Sequence, residues 1–142
     1  MEDGLKLAHI GYAVADIEKY LADFFIPLFR PTSVSPVVED PRQRVRIAFA
    51  TLTGGGQIEL VQPLDAASPV SKILGAKRGG LYHLCYWVDD IESQIERFRE
   101  KRCLPISAPT PATAFQGRRV VFLMTPQHDV IELVEIKRAS SR

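Results

Sequence analysis

Residues 79–91, Gly-Gly-Leu-Tyr-His-Leu-Cys-Tyr-Trp-Val-Asp-Asp-Ile, predict a turn, a strand and the start of a helix. The two glycines favour the turn, and the aromatic and apolar run that follows is typical of a strand. Asp89 or Asp90 is placed to cap a helix whose apolar residues recur at helical spacing. His83 interrupts the apolar strand, and a buried imidazole needs a polar partner because leaving it without one costs about 1–3 kcal/mol.

The same pattern occurs a second time near the N-terminus. Residues 9–18, His-Ile-Gly-Tyr-Ala-Val-Ala-Asp-Ile-Glu, repeat the His, Tyr, Val, Asp, Ile and Glu of residues 83–92 in register. A second echo joins the Ile-Glu-Leu-Val of residues 58–61 to that of residues 131–134. The strand before each of these is also matched, through Arg46 with Arg119 and Phe49 with Phe122. Such self-similarity indicates two copies of one supersecondary unit.

Each copy carries one histidine early and one glutamate late. Glu59 and Glu132 interrupt β-branched and leucine runs, where a carboxylate is normally excluded. Because side chains alternate along a strand, each glutamate points away from its apolar neighbours. Two related units usually pack about a two-fold axis, which would bring two imidazoles and two carboxylates together. Since two nitrogen and two oxygen ligands suit a divalent first-row metal, we predict a metal site.

The length and composition are those of a globular protein. We predict a single domain over residues 1–142, with repeats at about 6–64 and 80–136 and a linker helix at about 68–76. A net charge of +1 gives no electrostatic case for nucleic acid or a membrane surface. Four basic pairs are more typical of solvated surface than of a phosphate grip: Lys77-Arg78, Lys101-Arg102, Arg118-Arg119 and Lys137-Arg138.

A cytoplasmic location is expected. The N-terminal residues lack the features of a signal peptide, and no apolar run reaches the roughly 20 residues of a membrane span. Cys85 and Cys103 show neither a disulfide pattern nor a CxxC motif. We interpret Cys85 as a small buried hydrophobe and Trp87 as a core residue.

Each half is predicted to form one strand, one helix and then about three strands. In the first half, the helix is expected from about residue 17 to 25, with Pro27 closing it. The proline-rich residues 27–41 are expected to form a loop or a weak edge strand. In the second half, residues 105–117 predict a long loop. This loop carries Phe115 and could act as a lid over a site.

Over about residues 6–136 the sequence resembles the vicinal-oxygen-chelate superfamily, which includes glyoxalase I, methylmalonyl-CoA epimerase, extradiol dioxygenases and bleomycin-resistance proteins. The resemblance implies an α+β fold in which paired βαβββ modules form an incompletely closed, eight-stranded cupped barrel with helices outside. It also implies a divalent metal, with cobalt, nickel, zinc, manganese and iron as candidates. The family's ligand positions fall on His9, Glu59, His83 and Glu132.

Within the superfamily the sequence is most similar to methylmalonyl-CoA epimerase. The similarity is carried by the strand and helix of residues 59–64 and 68–74, by residues 80–83 with 88–91, and by Val121-Phe122-Leu123. It implies a metal-dependent isomerase or epimerase that stabilises the enolate of a thioester or related carbonyl. Two alternatives are a glyoxalase I-like lyase acting on a thiol adduct and a non-catalytic binding protein. A dioxygenase is less favoured, because its facial triad uses two histidines and one carboxylate.

Glu132 or Glu59 is expected to act as the catalytic base, by resemblance to glyoxalase-type enzymes. Arg46 stands near the position of a carboxylate proposed as the base in some epimerases, and a guanidinium cannot take up a proton at neutral pH. The expected partner is a small molecule, either an acyl-CoA or a thiol adduct, with no nucleic acid and no membrane. Because members of the superfamily dimerise, we also expect a homodimer.

Overall fold

The computed structural model describes residues 4–76 and 79–137. Contacts divide the chain into two compact units. The first unit comprises residues 9–82, and the second comprises residues 1–8 with 83–142, of which 4–8 and 83–137 are described. Each unit combines helices with a mainly antiparallel set of strands, which confirms the predicted α+β class.

The first unit is a βαβββ module followed by a helix. Its strand order is β2–β4–β5–β1, with β3 also paired to β4. β4 and β5 are antiparallel, whereas β5 and β1 are parallel. The elements are β1 (Lys6–Ala13), α1 (Ile17–Tyr20), a π-helical segment (Leu21–Phe25), α2 (Ile26–Phe29), β2 (Ser33–Val34), β3 (Val38–Asp40), β4 (Val45–Thr51), β5 (Gln57–Pro63) and α3 (Pro69–Ala76).

The prediction that Pro27 closes the first helix is wrong, since α2 continues to Phe29. The helix begins where the Asp16 side chain accepts a hydrogen bond from the Lys19 amide. In the π-helical segment the hydrogen bonding widens, so that the Ile26 amide donates to the Leu21 carbonyl. Pro27 then falls in the first turn of α2, where the missing amide hydrogen leaves no bond unmade. The helix ends at Arg30, which has a left-handed backbone.

The second unit repeats the module. Its strand order is β6–β10–β9–β7, with β8 also paired to β9. β10 is parallel to β6 and antiparallel to β9, as β5 is to β1 and β4. The elements are β6 (Gly80–Val88), α4 (Ile91–Arg99), β7 (Leu104–Pro105), β8 (Thr110–Pro111), a 3-10 helix (Thr113–Phe115), β9 (Arg119–Met124) and β10 (Val130–Glu135). Asp90, and not Asp89, caps α4 by accepting from the Ser93 amide.

The second strand of each module is divided into two short pieces, so the described residues contain ten strands where eight were predicted. β2 and β3 lie on either side of Pro36 and both pair with β4. β7 and β8 lie on either side of residues 106–109, the last of which is Pro109, and both pair with β9. Proline lacks an amide donor, so a strand cannot pass through it without losing a ladder bond.

In each unit the helix covers one face of the strands and forms the apolar core. In the first unit Ile17 and Leu21 pack with Ala48 and Leu60. In the second unit the equivalent cluster is formed by Ile91, Ile95, Val121, Leu123 and Leu133. Because side chains alternate along a strand, the residues between these positions face the other way. Glu59 and Glu132 are among them, and this alternation sets the side of each unit on which polar groups gather.

Candidate metal centre

The first unit contains a buried histidine–glutamate pair. His9 lies in β1 and Glu59 in β5, and the imidazole Nε2 is 3.4 Å from the carboxylate Oε1. Only 1% and 4% of these side chains is exposed. The residue directly opposite Glu59 in β1 is Gly11, which carries no side chain. The carboxylate therefore has room to reach diagonally along the same face to His9.

The second unit contains the equivalent pair with a closer contact. His83 in β6 and Glu132 in β10 have their Nε2 and Oε1 atoms 2.9 Å apart, and 1% and 3% of the side chains is exposed. Here the residue directly opposite the glutamate is Cys85. Its side chain is completely buried, which confirms its interpretation as a small hydrophobe. In each unit a small residue thus stands across from the glutamate.

A phenylalanine accompanies each pair. The ring of Phe49 meets the His9 imidazole edge-on at 5.5 Å, and the ring of Phe122 meets His83 in the same way at 5.4 Å. Each phenylalanine is also the direct strand partner of the glutamate in its pair. The two rings match across the repeat, but the sequence pattern alone assigns them no role. Their position at the pair, half-buried, makes them an apolar wall that restrains the imidazole.

Each pair has the chemistry of half a metal site. Within a pair, the imidazole nitrogen and the carboxylate oxygen lie within 4.8 Å of each other and could bind one ion. Imidazole and carboxylate together suit zinc, manganese, iron, cobalt and nickel. Carboxylates this buried are rare unless they are paired with a cation or a hydrogen-bond donor. Each pair therefore offers one nitrogen and one oxygen donor that could hold a divalent ion.

Arg46 is in β4, and its side chain lies on the opposite face of the paired strands β4 and β5 from the side chain of Glu59. Its Nη1 donates to Glu18 at 3.0 Å and to Gln62 at 3.2 Å, which ties the start of the first helix to the strands. The hydrogen bond from Arg46 lowers the pKa of Glu18, and the same bond raises the pKa of Arg46. Its role is therefore structural, and its presence in the sequence does not displace a group from the His9–Glu59 pair.

Arg119 makes the matching contact in the second unit. It donates to both oxygens of Glu92 at 2.8 and 2.9 Å and to both oxygens of Glu135 at 2.8 Å. Hydrogen bonds to these two carboxylates raise the pKa of Arg119 further, Glu135 contributing most. The predicted basic pair Arg118-Arg119 is therefore divided between two roles, since Arg118 lies against Trp87.

Other residues singled out from the sequence lie away from the two pairs. Tyr12 and Tyr86, which match across the repeat, are half-buried and pack against the two cores. Phe115 is buried in the 3-10 helix with its ring edge-on to Trp87. The basic pair Lys77-Arg78 and residue Arg138 lie outside the described residues. Among the described residues, no helix is long and apolar enough to cross a membrane.

Comparison with known proteins gives one consistent answer. Residues 8–122 match the family described as Glyoxalase/Bleomycin resistance protein/Dioxygenase superfamily. The mitochondrial methylmalonyl-CoA epimerase of Mus musculus is 33% identical over 94% of this chain and 73% of its own. The ethylmalonyl-CoA/methylmalonyl-CoA epimerase of Cereibacter sphaeroides is 31% identical over 83% of this chain and 87% of its own.

Among solved structures, the methylmalonyl-CoA epimerase of Mycobacterium tuberculosis has the same fold. Its TM-score is 0.78 and its identity 27%, over 94% of this chain and 88% of that one. This likeness confirms the fold class that the family resemblance implied.

Proposed function

This chain belongs to the glyoxalase/bleomycin resistance protein/dioxygenase superfamily, and we propose that it is a divalent-metal-dependent epimerase of the methylmalonyl-CoA type. The observation that carries the proposal is the buried histidine–glutamate pair present once in each module. The relatives from Mus musculus and Cereibacter sphaeroides, which match it over 73% and 87% of their own length, are named as epimerases of methylmalonyl-CoA or of ethylmalonyl-CoA and methylmalonyl-CoA. Its substrate would accordingly be an acyl-CoA thioester.

His9, Glu59, His83 and Glu132 are proposed to hold one ion together. The equivalence of the two pairs in the repeat supports this, because each module contributes the same nitrogen and oxygen donors. Burial to 4% or less favours it as well, since it removes water as a competing ligand. Cobalt, nickel, zinc, manganese and iron all accept such a donor set.

The chemistry needed is the removal of a proton next to a thioester carbonyl and its return to the other face. A bound divalent ion would stabilise the negative charge that develops on the carbonyl oxygen, an effect of several kcal/mol. Glu132 or Glu59 is proposed as the base, because a carboxylate within about 3 Å of the substrate carbon can take up its proton. Phe49 and Phe122 would keep water from the developing enolate.

Solvent exchange tests the proposal directly. A single epimer of methylmalonyl-CoA is incubated with the metal-loaded protein in D₂O, and deuterium at the carbon between the carbonyls is followed by mass spectrometry. We expect exchange with inversion, a loss of at least a hundredfold in Glu132→Gln or Glu59→Gln, and no change in the exposed control Glu96→Gln. Absence of exchange with every candidate metal would overturn the epimerase. Turnover of a hemithioacetal would then assign a glyoxalase-type lyase.

A homodimer is the oligomeric state we propose, by analogy with the superfamily. Light scattering coupled to size-exclusion chromatography measures it. A mass of twice 15.9 kDa is expected, and a mass of 15.9 kDa at all concentrations would contradict it.

A further inference from the structure

The second unit has an open pocket of about 860 Å³ beyond the end of β6. It is lined by Trp87, the end of β6 and the first turn of α4, and by Gly4, Leu5 and Lys6, which belong to the same unit. Its lining is mixed in character, with two cations (Lys6 and Arg118), two carboxylates (Asp89 and Asp90) and the indole of Trp87. Trp87 is half-buried here, so it is not the core residue expected from the sequence.

Arg118 is held in a fixed position at this pocket. Its Nε donates to the carbonyl of Ile136 at 3.0 Å, and its Nη1 donates to the carbonyl of Phe115 at 3.2 Å. The guanidinium carbon lies 5.8 Å from the centre of the Trp87 ring. A guanidinium so restrained loses little conformational freedom when an anion binds to it.

The repeat provides an internal comparison for these residues. Positions required by the module recur in both copies, as do the helix caps Asp16 and Asp90. Two of the pocket residues do not recur, because Trp87 is matched by Ala13 and Arg118 by Val45. Ala13 and Val45 are buried core residues in the first unit. The module therefore folds without an indole or a guanidinium at these positions, so the fold itself does not require them in the second copy.

We infer that this pocket binds the nucleotide end of the coenzyme A thioester. The inference rests on the proposed function, since an acyl-CoA substrate is what brings a nucleotide to this protein. Lys6 and Arg118 suit the phosphates, because guanidinium and ammonium groups are the usual phosphate-binding side chains. Trp87 offers its ring to the adenine, as aromatic side chains do for bases. The exposed carboxylate of Asp89 offers an acceptor for the adenine amino group.

The carboxylates also argue against a simple anion site. With two cations and two carboxylates, the pocket has no net charge to attract inorganic phosphate. A nucleotide combines a base that donates hydrogen bonds with phosphates that accept them, and both kinds of partner are present. The selectivity expected is therefore for a nucleotide over phosphate alone.

The pocket and the His83–Glu132 pair lie along the same strand, β6. Trp87 is four residues beyond His83 on the same face of β6, because residues 83, 85 and 87 share one side of a strand. At a rise of about 3.3 Å per residue, the two positions are roughly 13 Å apart along the strand. The flexible arm of coenzyme A separates its thioester from its nucleotide, so the two ends of one substrate can occupy the two places.

Trp87 is the one tryptophan in the chain, and its fluorescence reports the pocket directly. The metal-stripped wild-type protein is titrated with adenosine 3′,5′-bisphosphate and, separately, with inorganic phosphate. We expect a saturable change with the nucleotide and none with phosphate at the same concentrations. Arg118→Met and Lys6→Met should each weaken nucleotide binding about tenfold, which corresponds to about 1.4 kcal/mol. Arg99→Met, an exposed arginine at the end of α4, should bind as the wild type does.

If Arg118→Met fails to fold, Lys6→Met still tests the inference, because Lys6 is exposed and its replacement should leave the fold intact. No saturable change, or equal affinity in both variants and the wild type, would overturn the inference.

Kinetics separate this inference from the proposed function. For the CoA thioester, Arg118→Met should raise KM about tenfold with kcat unchanged, whereas for the corresponding pantetheine thioester the two proteins should have the same KM. If the protein binds the nucleotide but has no epimerase activity, the inference about the pocket stands and the proposed epimerase function is rejected. If the protein is an epimerase but Arg118→Met changes the KM of neither thioester, the proposed function stands and the inference about the pocket is rejected.

Discussion

Replacing Arg119 by methionine should cost the protein much more stability than the same change at Arg46. Both arginines tie the start of a helix to a strand, and both bind an exposed glutamate, so this part of the loss is shared. Such exposed ion pairs contribute about 0–1 kcal/mol. The difference lies in the second partner, which is Glu135 for Arg119 and the neutral Gln62 for Arg46.

Only 11% of the Glu135 side chain is exposed, whereas 33% of the Arg119 side chain is. Without the guanidinium, a mostly buried carboxylate is left with its charge uncompensated. Removing one partner of a fully buried pair costs about 3–5 kcal/mol, and leaving a buried polar group unsatisfied about 1–3. Because water reaches this pair in part, we expect about 2–3 kcal/mol for Arg119→Met and at most about 1 for Arg46→Met.

The repeat also indicates which second substitution should restore the stability of Arg119→Met. Gln62 occupies in the first unit the position that Glu135 occupies in the second, so glutamine is compatible with this place in the module. The double variant Arg119→Met/Glu135→Gln should therefore recover most of the lost stability. Urea unfolding followed by circular dichroism measures all four proteins. Equal losses for Arg119→Met and Arg46→Met, or no recovery in the double variant, would refute the reasoning.

Two further predictions concern the turn before β6 and the acid range. Gly79→Ala should destabilise the protein by about 2–4 kcal/mol, because a Cβ there would lie 2.6 Å from the carbonyl oxygen of Ala13. Gly80→Ala, which has a positive φ but open space, should cost only about 1–2, and equal urea midpoints for the two would contradict this. The Arg119 hydrogen bond lowers the pKa of Glu92 below its ordinary 4.5, so its stabilisation is complete above about pH 4.5 and lost as the pH falls through the lowered pKa. The stability difference between the wild type and Glu92→Gln should thus shrink below pH 4.5, and a difference that grows in acid would be inconsistent with it.

The repeat made the two histidine–glutamate pairs predictable. Because His9 and His83, and Glu59 and Glu132, recur at fixed spacing in strands, their presence on the polar face followed from strand alternation alone. The structure confirms that the histidine and glutamate meet within each unit. The cap of α4 was predicted as Asp89 or Asp90, since an aspartate directly before an apolar helical pattern is a local signal, and the structure has Asp90.

What the sequence did not reveal depended on backbone geometry or on neighbours distant in the chain. The helix continues past Pro27 through the π-helical segment. Such a segment is a shift in backbone hydrogen bonding, and no residue pattern in the sequence predicts it. The role of Arg46 depended on which face of β4 it occupies, and on a partner 28 residues earlier in the chain. Trp87 looked like core because its run is apolar, whereas it lines a pocket whose other residues come from several elements.

The measurement that tests the central claim most directly is the number of metal ions bound per chain. Purified wild type, His83→Ala/Glu132→Ala and His9→Ala/Glu59→Ala are loaded with cobalt, dialysed and assayed by atomic emission. A shared site predicts one ion per wild-type chain and none in either double variant. It also predicts that cobalt at 100 times its dissociation constant stabilises only the wild type, by about 2.7 kcal/mol. Two ions per wild-type chain with one retained in each double variant, or no ion in the wild type, would contradict it.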